Sequence, residues 1–64
     1  MKLSDIRVGD SLYYTNELFS YIPNKYDLKR LENLFKENLE SRTLSSWDIT
    51  KITRDGEVIW EREG

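Results

Sequence analysis

The pair Asp55-Gly56, flanked by two runs rich in isoleucine, valine and tryptophan, is the feature that most constrains the fold of this chain. A two-residue type I′ turn needs positive φ at both central positions, and Asp-Gly adopts that conformation at low cost. Residues 47–62 therefore predict a β-hairpin. Because an isolated two-stranded hairpin is at best marginally stable in water, the rest of the chain is expected to supply further strands and a cover for it.

A two-residue turn also predicts the register of this hairpin. Ile52 then faces Ile59, and Lys51 faces Trp60. Apolar side chains fall on both faces of the ribbon, with Ile52 and Ile59 on one and Trp47, Ile49, Val58 and Trp60 on the other. Since one helix covers only one face, three alternatives follow: a β-bulge that shifts Ile49 relative to Ile52, a sheet that curls into a small barrel, or a second apolar surface left for a partner.

An amphipathic helix is predicted at about residues 25–41. Apolar residues recur there at three- and four-residue spacing, namely Leu28, Leu31, Leu34, Phe35 and Leu39. Asn24 is a candidate N-cap for this helix. No glycine marks the end of the helix, which is expected to fade near Ser41 or Arg42.

Residues 6–22 form the predicted first strand region. Leu12 and Tyr14 would share one face of a strand, a turn would follow at residues 15–17, and residues 18–22 would return as a second strand. A helical interpretation of residues 12–22 remains open, although Pro23 favours an extended conformation at Ile22. The predicted fold class is α+β, with an antiparallel sheet of three or four strands in the order β-β-α-β-β and one helix on one face. The alternative is an SH3-like partial barrel with an inserted helix.

The chemistry available to the chain is limited. Its 64 residues fit a single domain, 1–64, and contain neither cysteine nor histidine. These absences remove the commonest nucleophile, the commonest general base and the commonest transition-metal ligands. The glycines, Gly9, Gly56 and Gly64, do not form a phosphate-binding loop. We therefore expect a protein that is not an enzyme, with no catalytic residues, no cofactor and no metal site.

Charge and hydropathy narrow the choice of partner. Ten basic and twelve acidic residues give a formal charge of −2, which provides no net attraction to a phosphate backbone. No stretch has the length of apolar sequence that a signal peptide or a membrane span requires. We expect a cytoplasmic protein that binds another protein or associates with itself, with nucleic acid as a less favoured partner and no membrane.

Eight large aromatic rings are the most informative feature for function: Tyr13, Tyr14, Phe19, Tyr21, Tyr26, Phe35, Trp47 and Trp60. One interpretation is that they fill a small core. The other is that several remain accessible beside lysine or arginine, a composition typical of interface hot spots. The candidate partner-binding residues are Tyr13, Tyr21, Tyr26, Trp47, Lys51, Trp60 and Arg62.

Two functional hypotheses follow from these observations. The first is a small non-enzymatic protein-binding module that occupies a surface on a larger partner, as host-modulating or inhibitory proteins of bacteria and phages do. The second is a nucleic-acid-associated accessory or regulatory protein, in which Arg7, Lys51 and Arg62 contribute to a positive groove beside stacking rings.

Overall fold

A computed structural model of the chain describes residues 1–63. The elements are a 3₁₀ turn at Leu3–Asp5, β1 (Ser11–Tyr14), β2 (Ser20–Tyr21), α1 (Asp27–Leu34), a 3₁₀ turn at Ser45–Trp47, β3 (Ile49–Arg54) and β4 (Glu57–Glu61). The four strands form one antiparallel sheet in the order β2-β1-β3-β4. The predicted α+β class and the β-β-α-β-β order are confirmed.

The β3–β4 hairpin turns at Asp55 and Gly56, as predicted. Both residues have positive φ, 53° and 83°, which is the type I′ requirement. The predicted pairing of Ile52 with Ile59 is wrong: after Thr53 pairs with Val58 the register shifts, and Ile52 pairs with Trp60. The extra residue in β4 is a β-bulge, which turns Trp60 toward the core and leaves Ile59 exposed.

A second register shift lies between β1 and β3. Tyr13 pairs with Lys51 and Tyr14 pairs with Ile49, so Thr50 is the extra residue. As a result Ile49 and Ile52 both point into the core, although strict alternation would place them on opposite faces. Of the three alternatives left open by the sequence, the bulge that shifts Ile49 relative to Ile52 is present.

The first hairpin is shorter than predicted. Leu12 and Tyr14 lie on the buried face of β1, as the alternation predicted, and Leu12 pairs with Tyr21 of β2. In the turn before β2, the side-chain oxygen of Asn16 accepts a hydrogen bond from the Leu18 N–H at 3.1 Å. This Asx turn places Leu18 outside the sheet, so that only Ser20–Tyr21 pairs with β1.

Helix α1 begins near the predicted residue but is much shorter than residues 25–41. The Asn24 side chain accepts hydrogen bonds from the N–H groups of Tyr26 and Asp27 at 2.9 and 3.0 Å, which confirms its capping role. The helix ends at Leu34, because Phe35 has an extended backbone. Arg42 then closes the helix end: its Nε donates to the carbonyl oxygens of Glu32 and Phe35, both at 3.1 Å.

Residues 35–41 form a tight turn in place of the predicted last helical turns. Phe35 and Ser41 form an isolated antiparallel bridge, and the Lys36 N–H donates to the Glu40 carbonyl at 2.7 Å. Leu39 sits at the turn with φ of 71°, yet its side chain is fully buried. Leu39 therefore fits the helical spacing in the sequence, but its side chain enters the core from a turn.

The N-terminal segment is attached to the sheet through Asp10, which is buried. Arg54 of β3 donates from Nε and Nη2 to the two carboxylate oxygens of Asp10, each at 2.8 Å. The Arg7 N–H donates to the same carboxylate at 2.9 Å. These contacts hold the pKa of Asp10 below its ordinary value, and the hydrogen bond from Arg54 is the largest cause.

The core lies between one face of the sheet and the helix with its flanking turns. Its buried residues are Leu3, Ile6, Leu12, Tyr14, Leu31, Phe35, Leu39, Ile49 and Ile52. Leu28, Trp47 and Trp60 pack against this group from the periphery. Across residues 1–63, the structure contains no helix with the length and apolar character needed to cross a membrane.

Candidate functional site

An apolar cleft of about 400 Å³ opens beside the helix. It lies between β2, α1 and residues 41–47. Its lining residues are Tyr14, Tyr21, Asp27, Arg30, Leu31, Leu34, Phe35, Ser41, Thr43 and Trp47. We call this feature the aromatic cleft, because four of these ten side chains carry large rings.

Three elements converge to form the floor of the aromatic cleft. Tyr14 projects from the end of β1, Phe35 follows the helix, and Trp47 ends the second 3₁₀ turn. The Tyr14 and Phe35 rings are nearly parallel with centroids 6.2 Å apart, and the Trp47 ring meets Tyr14 edge-on at 5.4 Å. Offset and edge-to-face contacts of this kind are favourable, so they stabilise this arrangement of the floor.

Exposed apolar side chains lie at and near the mouth of the aromatic cleft. Leu34 is 51% exposed and lines the cleft from the helix. Phe19 is 56% exposed and stacks on Trp47 at 5.8 Å, but it lines a separate recess together with Tyr13 and Lys51. Leu44 is also exposed and lies within residues 41–47, although it does not line the cleft. A concave apolar floor with an exposed leucine at its mouth can bury a large side chain from another molecule.

Polar groups line the rim of the aromatic cleft. The Tyr21 hydroxyl donates a hydrogen bond to the Asp27 carboxylate, and this bond raises the pKa of Tyr21. Burial raises the pKa of Tyr14. Both phenols are therefore neutral at physiological pH. Arg30 lies on the same rim and forms no ion pair among the described residues.

No protein-family model, curated protein or solved structure was found to match the chain. Within residues 1–63, no three carboxylate side chains lie together in a group that could hold a metal ion.

The residues predicted to bind a partner lie in separate places. Tyr21 and Trp47 line the aromatic cleft. Tyr13 and Lys51 pair across β1 and β3 on the opposite face of the sheet, with the Lys51 ammonium 4.5 Å from the ring centroid. Tyr26 is exposed just before α1, and the Lys25 ammonium lies 5.1 Å from its ring centroid.

The remaining two predicted residues lie at the β4 edge. The Arg62 guanidinium is 5.2 Å from the Trp60 ring centroid. Arg62 also donates hydrogen bonds to the carbonyl oxygens of Ile49 and Asn38, from Nη2 at 2.9 and 3.2 Å. This arginine therefore ties the end of the hairpin to the turn at residues 35–41, in addition to any role in binding.

Sequence reasoning missed Leu34 and Arg30 as site residues. The helical spacing places Leu34 among the apolar residues of the helix. On an ideal helix, however, Leu34 lies about 90° from the centre of the stripe formed by Leu28, Leu31 and Phe35, a signal present in the sequence. The position of Arg30 beside the cleft depends on tertiary packing, and no local pattern specifies it.

Proposed function

We propose that this protein is a small non-enzymatic binding module that recognises another protein by accepting a large apolar side chain in the aromatic cleft. The observation that carries the proposal is a preformed apolar cleft whose mouth is lined by the half-exposed Leu34. A few buried anchors, most often aromatic residues and arginine, contribute most of the energy of many protein interfaces. A leucine or phenylalanine that is fully buried contributes about 1.5 to 3 kcal/mol.

The rim of the cleft indicates the charge of the partner. Asp27 is engaged by the Tyr21 hydroxyl, whereas Arg30 forms no ion pair among residues 1–63. A carboxylate next to the apolar anchor would therefore find a guanidinium beside the cleft. The proposed ligand is a protein segment that presents a leucine or aromatic side chain with an acidic residue close to it in sequence.

We also propose how the protein acts on its partner. A module of this size acts by occupying a surface on a larger protein in the cytoplasm, in the manner of host-modulating or inhibitory proteins of bacteria and phages. The support for this part is the size of the chain, its lack of cysteine and its surplus of aromatic residues.

The substitution Leu34→Lys is expected to reduce partner binding at least about tenfold, because it places a charge at the apolar mouth of the cleft. Lysine is a good helix former, so the fold should be retained, which circular dichroism would verify. Binding is measured by titrating the variant with peptides selected from a displayed random-sequence library against the wild-type chain.

Val8→Lys is the matched control. Val8 is 56% exposed, close to the exposure of Leu34, but it does not line the cleft. The control should bind as the wild type does. Equal binding by Leu34→Lys and Val8→Lys, with both folded, would contradict the proposed role of the cleft.

Nucleic-acid binding is the second candidate, and the Tyr13–Lys51 pair on the solvent face of the sheet is the observation that favours it. Tyr13 and Lys51 line a recess that also contains Glu17 and Glu61. The negative charge of these two carboxylates reduces the attraction of the recess for phosphate. Affinity that falls steeply between low and moderate salt, and that is insensitive to Leu34→Lys, would favour this candidate over the first.

A further inference from the structure

The edge strand β2 lies in the longest uncharged stretch of the chain. Residues 18–24 carry no charge, whereas Glu17 and Lys25 flank them. Within this stretch Leu18 is 82% exposed and Ile22 is 61% exposed, and Phe19, Ser20 and Tyr21 are exposed as well. The outer side of β2 has no neighbouring strand among the described residues. A consecutive exposed apolar run on an open edge is a template for pairing with another strand.

Residues of similar chemical type lie on either side of Ser20 in this stretch. In an antiparallel pair of two β2 strands centred on Ser20, Phe19 of one copy faces Tyr21 of the other, and the two copies of Ser20 meet on the two-fold axis. Leu18 lies in the turn before β2 and takes no part in this pairing. Rings therefore oppose rings on both sides of a small central residue.

The other edge of the sheet lacks this property. The central residue of β4 is Ile59, and pairing two copies about it would place Glu57 opposite Glu61, so that like charges face each other twice. The bulge at Ile59 also interrupts the regular spacing of the hydrogen-bonding groups along this strand. Charged residues and bulges are the devices by which proteins protect an open edge.

From this comparison we propose that two copies of the chain associate through β2, in an isologous antiparallel pair with Ser20 on the two-fold axis, which joins the two sheets into one of eight strands. The contact is short, so the dimer forms at high protein concentration. Ser20 pairs with Tyr13 on the solvent face of the sheet and does not line the aromatic cleft. Tyr21, which would face Phe19 of the other copy, lines the cleft, so self-association through β2 is expected to affect partner binding there.

Sedimentation equilibrium between about 10 μM and 1 mM tests the proposal, a range suited to weak contacts of this size. The wild-type chain should rise from one chain mass toward two. Ser20→Lys should remain at one chain mass, because two lysines would meet on the axis. Ser4→Lys, which makes the same charge change at an exposed serine outside β2, should associate as the wild type does.

A mixing experiment tests the register. Ser20→Lys and Ser20→Glu should each be monomeric alone, and a mixture of the two should form heterodimers, since opposite charges then meet on the axis. In the wild type, amide NMR signals of residues 19–22 should shift with concentration while those of residues 57–61 do not, a result that needs no variant. A wild-type chain that stays monomeric at about 1 mM overturns the proposal. So does an unchanged dimer of Ser20→Lys, or concentration-dependent shifts confined to residues 57–61.

Discussion

Replacing Asp10 with alanine is expected to lower the free energy of unfolding by about 3 kcal/mol. The buried carboxylate accepts two hydrogen bonds from Arg54 and one from the Arg7 N–H, and the substitution leaves all three donors without this acceptor. The value lies at the low end for a broken buried ion pair, because Arg54 is partly exposed and regains water. For a chain of this length the loss is a large part of the total stability, about 3 to 10 kcal/mol. Urea unfolding followed by tryptophan fluorescence measures it.

The same ion pair predicts how stability depends on pH. The pKa of Asp10 is lowered in the folded protein, so the carboxylate stabilises the fold fully above its unfolded pKa of about 4. This contribution is lost as the pH falls below that value and through the folded pKa. The difference in unfolding free energy between the wild type and Asp10→Asn should therefore be constant near neutral pH and shrink in that acid range. Glu32→Gln, which changes an exposed carboxylate, is the control. A difference that persists unchanged to the lowest pH would contradict the assignment.

At position 39, glycine is expected to be more stable than alanine, the reverse of the usual order. Leu39 is fully buried, so Leu39→Ala should cost about 2 to 5 kcal/mol through lost burial and the cavity that remains. Its φ of 71° lies in the left-handed region, which costs an alanine about 1 to 2 kcal/mol and a glycine almost nothing. Leu39→Gly should therefore be more stable than Leu39→Ala by about 1 kcal/mol, although it retains less side chain. Thermal and urea unfolding of the two variants provide the comparison.

Leu44→Ala is the control for these substitutions, because Leu44 is exposed and its loss should change stability by less than about 0.5 kcal/mol. If Leu39→Ala proves as stable as Leu39→Gly or more so, residue 39 does not have the left-handed backbone conformation. That result would favour a helix that continues through residues 35–41.

The parts of the fold that were predictable are those with a local cause. Asp55-Gly56 specifies its turn through backbone conformation, and Asn24 specifies the helix start through its side-chain oxygen. The helix end was not predictable from spacing, because Leu39 continues the helical period while its side chain is buried from a loop. The bulge that shifts Ile49 relative to Ile52 was only one of three alternatives, and the bulge at Ile59 was not predicted, since both depend on which side chains fill the core.

The candidate site was predictable only where a local criterion selects its residues. Tyr21 and Trp47 were named because large rings beside charged residues are typical of interfaces, a criterion that needs no tertiary structure. That criterion equally selected Tyr13 and Trp60, which lie elsewhere. Which rings share a cleft is decided by the strand order and by the position of residues 41–47 against the helix, and these are long-range properties.

The central claim is that the aromatic cleft accepts an apolar side chain from a protein partner. Amide and indole chemical-shift mapping by NMR, with a peptide selected against the wild-type chain, tests it most directly. We predict the largest shifts at Tyr21, Leu34 and the Trp47 indole, with little change at Tyr13 and Lys51 on the opposite face of the sheet. Shifts concentrated at Tyr13 and Lys51, with the cleft residues unchanged, would contradict the claim.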